Sequence, residues 1–131
     1  MNLKDIDTSK DTDLCEIFFK NRADKCKKIS HTYSNYYHEI LNDRREKVRS
    51  VLEIGVGNPD MIGISGEDYK PGASLRSWRE YFPNAQIFGI DALLHPSAVL
   101  INEGRINFLK TFMKDIQTKE KKVYFLLNIY N

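Results

Sequence analysis

The spacing of apolar positions changes along this chain, and the changes mark its elements. Leu14, Ile17 and Phe18 recur at helical spacing, with Asp13 placed as an N-cap, and predict a short helix over 13–22. The basic, polar stretch 21–30 reads as a loop. Over 31–47, Tyr33, Tyr36, Tyr37, Ile40 and Leu41 fall on one helical face, opposite Glu39, Asp43, Arg44 and Glu46, and predict a second helix that packs an aromatic stripe onto the core. Residues 50–56 form a nearly unbroken apolar run, interrupted by Glu53 and ended by Gly55 and Gly57. That run predicts a parallel strand covered on both faces. Asn58-Pro59, Gly63, Gly66, Pro71 and Gly72 punctuate a long loop over 58–72. A helix from Ser74 to Tyr81 carries Leu75, Trp78 and Arg79 along one side, and Pro83-Asn84 stops it. Gln86 to Ile90 reads as a second strand, 96–103 as a helix closed by Gly104, and 105–109 and 123–130 as two further strands.

Two helices followed by strands alternating with helices imply an α/β fold with a mostly parallel sheet of about four strands. A length of 131 residues allows one domain, divided here into a flexible N-terminal arm over 1–12 and a folded unit over 13–131. Hydrophobic residues at 41% and charged residues at 29% exclude a disordered tail. A net charge of +2 does not indicate a nucleic-acid partner. Cys15 and Cys26 make no disulfide framework, and no apolar run approaches a membrane span. The N-terminus lacks the pattern of a secretory signal, so the expected compartment is the cytoplasm, with free thiols and no membrane partner.

The candidate chemistry sits where the first strand ends in Gly55-Val56-Gly57. Two glycines permit a sharp turn and a close ligand approach, at the strand end where open α/β sheets bind ligands. A dinucleotide fingerprint would need a third glycine where Asp60 stands, and no Gly-Lys-Ser/Thr phosphate loop follows. Glu53, two residues before the turn, suits a ligand with positive charge and amine donors. A structural carboxylate satisfied by backbone N–H groups is the alternative. Asp91, ending the second strand, is placed to accept both ribose hydroxyls, or else to cap the next segment.

These residues carry a resemblance. Val51-Leu-Glu-Ile-Gly-Val-Gly57, followed by a strand ending Phe88-Gly-Ile-Asp91, resembles the class I S-adenosylmethionine-dependent methyltransferases with their Rossmann-like fold. The segment from Gly72-Ala-Ser-Leu-Arg76 through Trp78 to Asp91 narrows the match to the macrolide-sugar O-methyltransferases and their cephalosporin-hydroxylase-named relatives. Asp24-Lys25, His31-Thr-Tyr33 and Tyr37 extend it upstream. The resemblance implies S-adenosylmethionine as cofactor, with Glu53, Gly55 and Gly57 lining its methionine end and Asp91 binding its ribose. Ser74 and Leu75 would border the cofactor, and His31, Tyr33 and Tyr37 would cap the pocket. Trp78 reads as core, His95 as a loop residue and His38 as solvent-facing.

The sequence departs from that family beyond about residue 107, where neither its Gly-Asp-Gln-like turn nor its metal-binding Asp-Asp-Gly-Ser-His-like segment is found. The implied unit is therefore the N-terminal half of the domain, C-terminally truncated, with a sheet edge open to self-association. The function implied is S-adenosylmethionine binding and O-methylation of a small molecule or sugar, inactive if the metal and base segment is lost. The alternative is a non-catalytic interaction or structural protein that retains the fold. No catalytic residue and no metal ligand can be named from the sequence.

Overall fold

A computed structural model describes residues 2–56, 69–90, 104, 106–109 and 124–128, the last two segments as backbone. Helix α1 spans Asp13–Lys20, α2 Tyr33–Leu41 and α3 Ala73–Tyr81; strand β1 spans Ser50–Ile54, β2 Gln86–Ile90, β3 Ile106–Leu109 and β4 Tyr124–Asn128. The sheet order is β3-β2-β1-β4. β1 and β3 flank β2 in parallel, and β4 runs antiparallel along β1, so the sheet is mostly parallel with one reversed edge strand. The helix expected over 96–103, together with Gly57, Asp91 and His95, lies outside the described residues.

Period-two alternation sets the faces of the two central strands. On β1 the buried side chains are Val51 and Glu53, and on β2 they are Ile87 and the Gly89 backbone, all on one face. α3 packs on β2 and β3, and α1 packs against both α3 and α2. Leu52, Ile54, Phe88 and Ile90 point to the opposite face and are only half-buried among the described residues. Among the described residues the cover expected on both faces of β1 is thus complete on one and partial on the other.

The core centres on Trp78. Phe18 meets its ring edge-on at 4.9 Å, Tyr37 at 5.5 Å, and Phe82 stacks at 5.8 Å. Leu14, Cys15, Cys26, Val48, Leu75 and Tyr81 belong to the same buried cluster. Trp78 is a core residue, as its spacing predicts. Both cysteines are free and buried, and burial pushes the Cys26 thiol up to about 11. Among the described residues no helix is long and apolar enough to cross a membrane.

Several boundaries and faces differ from the sequence expectation. Thr12, not Asp13, caps α1, its hydroxyl accepting from the Cys15 N–H at 3.1 Å. α1 stops at Lys20 because Arg22 turns left-handed at φ 62. α2 is shorter than 31–47 and breaks into a 3-10 turn at Asn42–Arg44. Its predicted stripe forms the burial face only in part: Leu41 is buried and Tyr37 packs on Trp78, but Tyr33 is 48% and Ile40 40% exposed, and Ser34 and Asn35 are buried instead. Hydrogen bonding fixes this rotation. The Asn35 amide donates to the carbonyls of Lys10 at 2.8 Å and Asp7 at 3.4 Å, which ties residues 2–12 to the helix. Lys27 adds an ion pair to Asp11 at 3.0 Å. His38, expected in solvent, is half-buried, with Nδ1 3.2 Å from the Tyr81 hydroxyl.

Gly89 carries a packing constraint. A Cβ there would lie 2.7 Å from Leu75 Cδ1 and 2.9 Å from Val56 Cγ2, so α3 sits on β2 at a distance only glycine allows. Gly89→Ala is expected to destabilise the protein by about 1–3 kcal/mol through overpacking, read as a lowered urea midpoint.

Candidate functional site

Glu53 occupies a position that the sheet alternation assigns to the core, and its side chain is 0% exposed. A carboxylate there needs donors to offset the loss of water. Two elements supply them. The Ser74 hydroxyl, in the first turn of α3, donates to Glu53 Oε1 at 2.9 Å. The Lys25 ammonium lies 3.3 Å from the same oxygen and 3.4 Å from Asp24 Oδ1, with its side chain only 12% exposed. Glu53 Oε2 is buried and has no partner among the described residues. Among the described residues the donors to this carboxylate are thus side chains rather than backbone N–H groups.

The loop that brings Lys25 inward is held by the start of α2. The His31 N–H donates to the Asp24 carbonyl at 3.1 Å, and the Ser34 N–H donates to the Lys25 carbonyl at 2.9 Å. On the other side, the Ala23 N–H returns to the Phe18 carbonyl at 2.8 Å, closing α1. The Asp24-Lys25 and His31-Thr-Tyr33 segments are thus one hydrogen-bonded unit. His31 and Tyr33 stack on each other at 4.8 Å with nearly parallel rings, and both are exposed.

Charge follows from this geometry. Burial weighs against the Lys25 ammonium, but the Glu53 and Asp24 carboxylates outweigh it and push the pKa up to about 12. Burial pushes the Glu53 carboxyl up, and Lys25 and Ser74 offset that only in part. The two directions are compatible. Lys25 faces two carboxylates, whereas Glu53 faces one cation, a second carboxylate and complete loss of solvent. Burial also raises the phenols of Tyr37 and Tyr69, which both feel the charges of Lys25 and Glu53.

The structure brings together Glu53, Ser74, Lys25, Asp24, Tyr37 and Tyr69. Leu75, next to Ser74, is fully buried and lies beside Gly89. Gly55 adopts φ 83, and its N–H donates to the Ile90 carbonyl at 2.7 Å, so the turn after β1 stays tied to the end of β2. Sequence reasoning gave no role to Lys25 or Tyr69. The signal for Lys25 was present, since an uncompensated Glu53 in an apolar strand demands a cation. Tyr69 lies in the long loop and carries no periodic signal. Among the described residues no group of three or more His, Cys, Asp or Glu side chains comes together to hold a metal ion.

No protein-family model matches the chain. Known proteins do. The L-olivosyl-oleandolide 3-O-methyltransferase of Streptomyces antibioticus is 36% identical over 61 residues, which cover 47% of this chain and 14% of that protein. The 8-demethyl-8-(2-methoxy-alpha-L-rhamnosyl)-tetracenomycin-C 3'-O-methyltransferase of Streptomyces olivaceus is 36% identical over 88 residues, covering 64% and 20%. In structure, the MycE methyltransferase of the mycinamycin biosynthetic pathway, solved with Mg and SAH, superposes with a TM-score of 0.57 at 31% identity, covering 79% of this chain and 26% of that one. The chain is a relative of the macrolide-sugar O-methyltransferases. That group is of the class I S-adenosylmethionine-dependent type, and the β1–α3–β2 arrangement here is part of its Rossmann-like fold. The chain spans between 14% and 26% of the length of these three relatives.

Two outcomes follow from the buried pair. Lys25→Met leaves a buried carboxylate without its cation and is expected to cost about 3 kcal/mol in urea unfolding. Glu53 has a folded pKa above its ordinary 4.5, so its contribution is full below pH 4.5 and is lost as pH rises through the folded value. The stability of wild type relative to Glu53→Gln is therefore expected to fall as pH rises from 4.5; a difference independent of pH would show an unshifted carboxyl.

Proposed function

We infer that the protein binds S-adenosylmethionine or its demethylated product and is an O-methyltransferase-like protein for a hydroxyl of a small molecule or sugar. The observation that carries this reading is the orphaned Glu53 Oε2. It is a buried acceptor beside the head of α3, and an α-ammonium is the ligand group that would satisfy it. The kinship supports the choice of ligand, because MycE is solved with Mg and SAH and also with Mycinamycin VI.

In this reading Glu53, with Gly55 and Gly57, receives the methionine end. Asp91 takes the ribose hydroxyls, Ser74 and Leu75 border the ligand, and His31, Tyr33 and Tyr37 cap it. When bound, the cofactor would supply an electrophilic methyl group for an acceptor oxygen. The chain's own contribution is to fix the amino-acid end through a carboxylate held on its other oxygen, and to shield it with Tyr37 and Tyr69. Loss of the hydroxyl proton needs a base, and none of the described residues is assigned to it.

Calorimetric titration tests this. S-adenosylhomocysteine is expected to bind saturably, and Asp91→Ala to weaken it by about tenfold or more, the scale of lost hydrogen bonds to ribose. Absence of binding to folded wild-type protein would overturn the cofactor assignment and favour a non-catalytic interaction role.

A further inference from the structure

We propose that Lys25 is a positioning residue, which together with the Ser74 hydroxyl holds Glu53 by Oε1 so that Oε2 is left to the ligand's ammonium. The inference rests on the S-adenosylmethionine reading and goes beyond it by assigning the selectivity for the amino group to a residue outside the strand-turn motif. Three observations carry it. Among the described residues the two donors to the Glu53 carboxylate converge on one oxygen, Ser74 at 2.9 Å and Lys25 at 3.3 Å. The other oxygen is buried and has no partner among the described residues. Lys25 is itself held at both ends, its ammonium 3.4 Å from Asp24 Oδ1 and its backbone carbonyl accepting from the Ser34 N–H.

A lysine suits this task for a chemical reason. Its ammonium is a compact charge that satisfies one carboxylate oxygen and leaves the other open. A guanidinium presents a planar fork that engages both oxygens of a carboxylate. Lysine therefore balances the buried charge without occupying the acceptor that the ligand needs.

The test compares S-adenosylhomocysteine with its deaminated analogue, in which hydrogen replaces the α-amino group, on wild type, Lys25→Arg and Lys25→Met. Lys25→Arg keeps a cation beside Glu53 and is expected to retain the wild-type urea midpoint. It should nevertheless weaken S-adenosylhomocysteine by about tenfold while the analogue's affinity hardly changes, since one charge-assisted hydrogen bond is lost. Lys25→Met should lose the same selectivity; if it does not fold, Lys25→Arg alone decides. Equal losses for both ligands, or wild-type selectivity in Lys25→Arg, would overturn the positioning role while leaving the cofactor reading intact. Wild-type protein that binds neither ligand would overturn that reading, and this inference with it.

Discussion

A single buried carboxylate constrains most of this structure. Glu53 stands at a core-facing position of β1, and the effective penalty of stripping water from one such ion is several kcal/mol. The fold offsets that penalty from two directions. α3 begins where its Ser74 hydroxyl reaches the carboxylate, and the segment between α1 and α2 is drawn inward so that Lys25 can pair with it. The same segment is then fastened to the start of α2 through His31 and Ser34. A charge on a strand thus organises two helix termini and a loop that are far apart in sequence.

The described helices lie to one side of the sheet, and the Trp78 cluster fills the space between them. The candidate site at the end of β1 is therefore built from parts that also make the core, and changes in it register as changes in stability. The reversed strand β4 lies along the edge of β1 opposite β2, pairing Glu53 with Phe125 and Ile54 with Tyr124 through the backbone.

Much of this was legible in the sequence, for reasons that are local. The apolar run 51–54 and the glycine at 55 specify β1 and its sharp end, and the Leu75–Trp78 spacing specifies α3. The placement of Glu53 among buried residues announced that it needed a partner. The identity of that partner was not legible. Lys25 lies in a polar stretch with no period, and only the folded loop shows that it points inward. α2 shows the limit of periodicity: its pattern marks a helix, but Asn35 and its bonds to the Lys10 and Asp7 carbonyls decide which face turns inward. His38 was misplaced for the same reason, since its partner, Tyr81, comes from α3. The direction of β4 depends on non-local pairing, which no window of sequence encodes.

The most direct test is a crystal structure of the protein with S-adenosylhomocysteine. The account predicts the ligand's amino nitrogen within hydrogen-bond distance of Glu53 Oε2, with Lys25 and Ser74 still on Oε1. A ligand whose amino group is held elsewhere, with Glu53 Oε2 satisfied by a protein donor or a buried water, would contradict it.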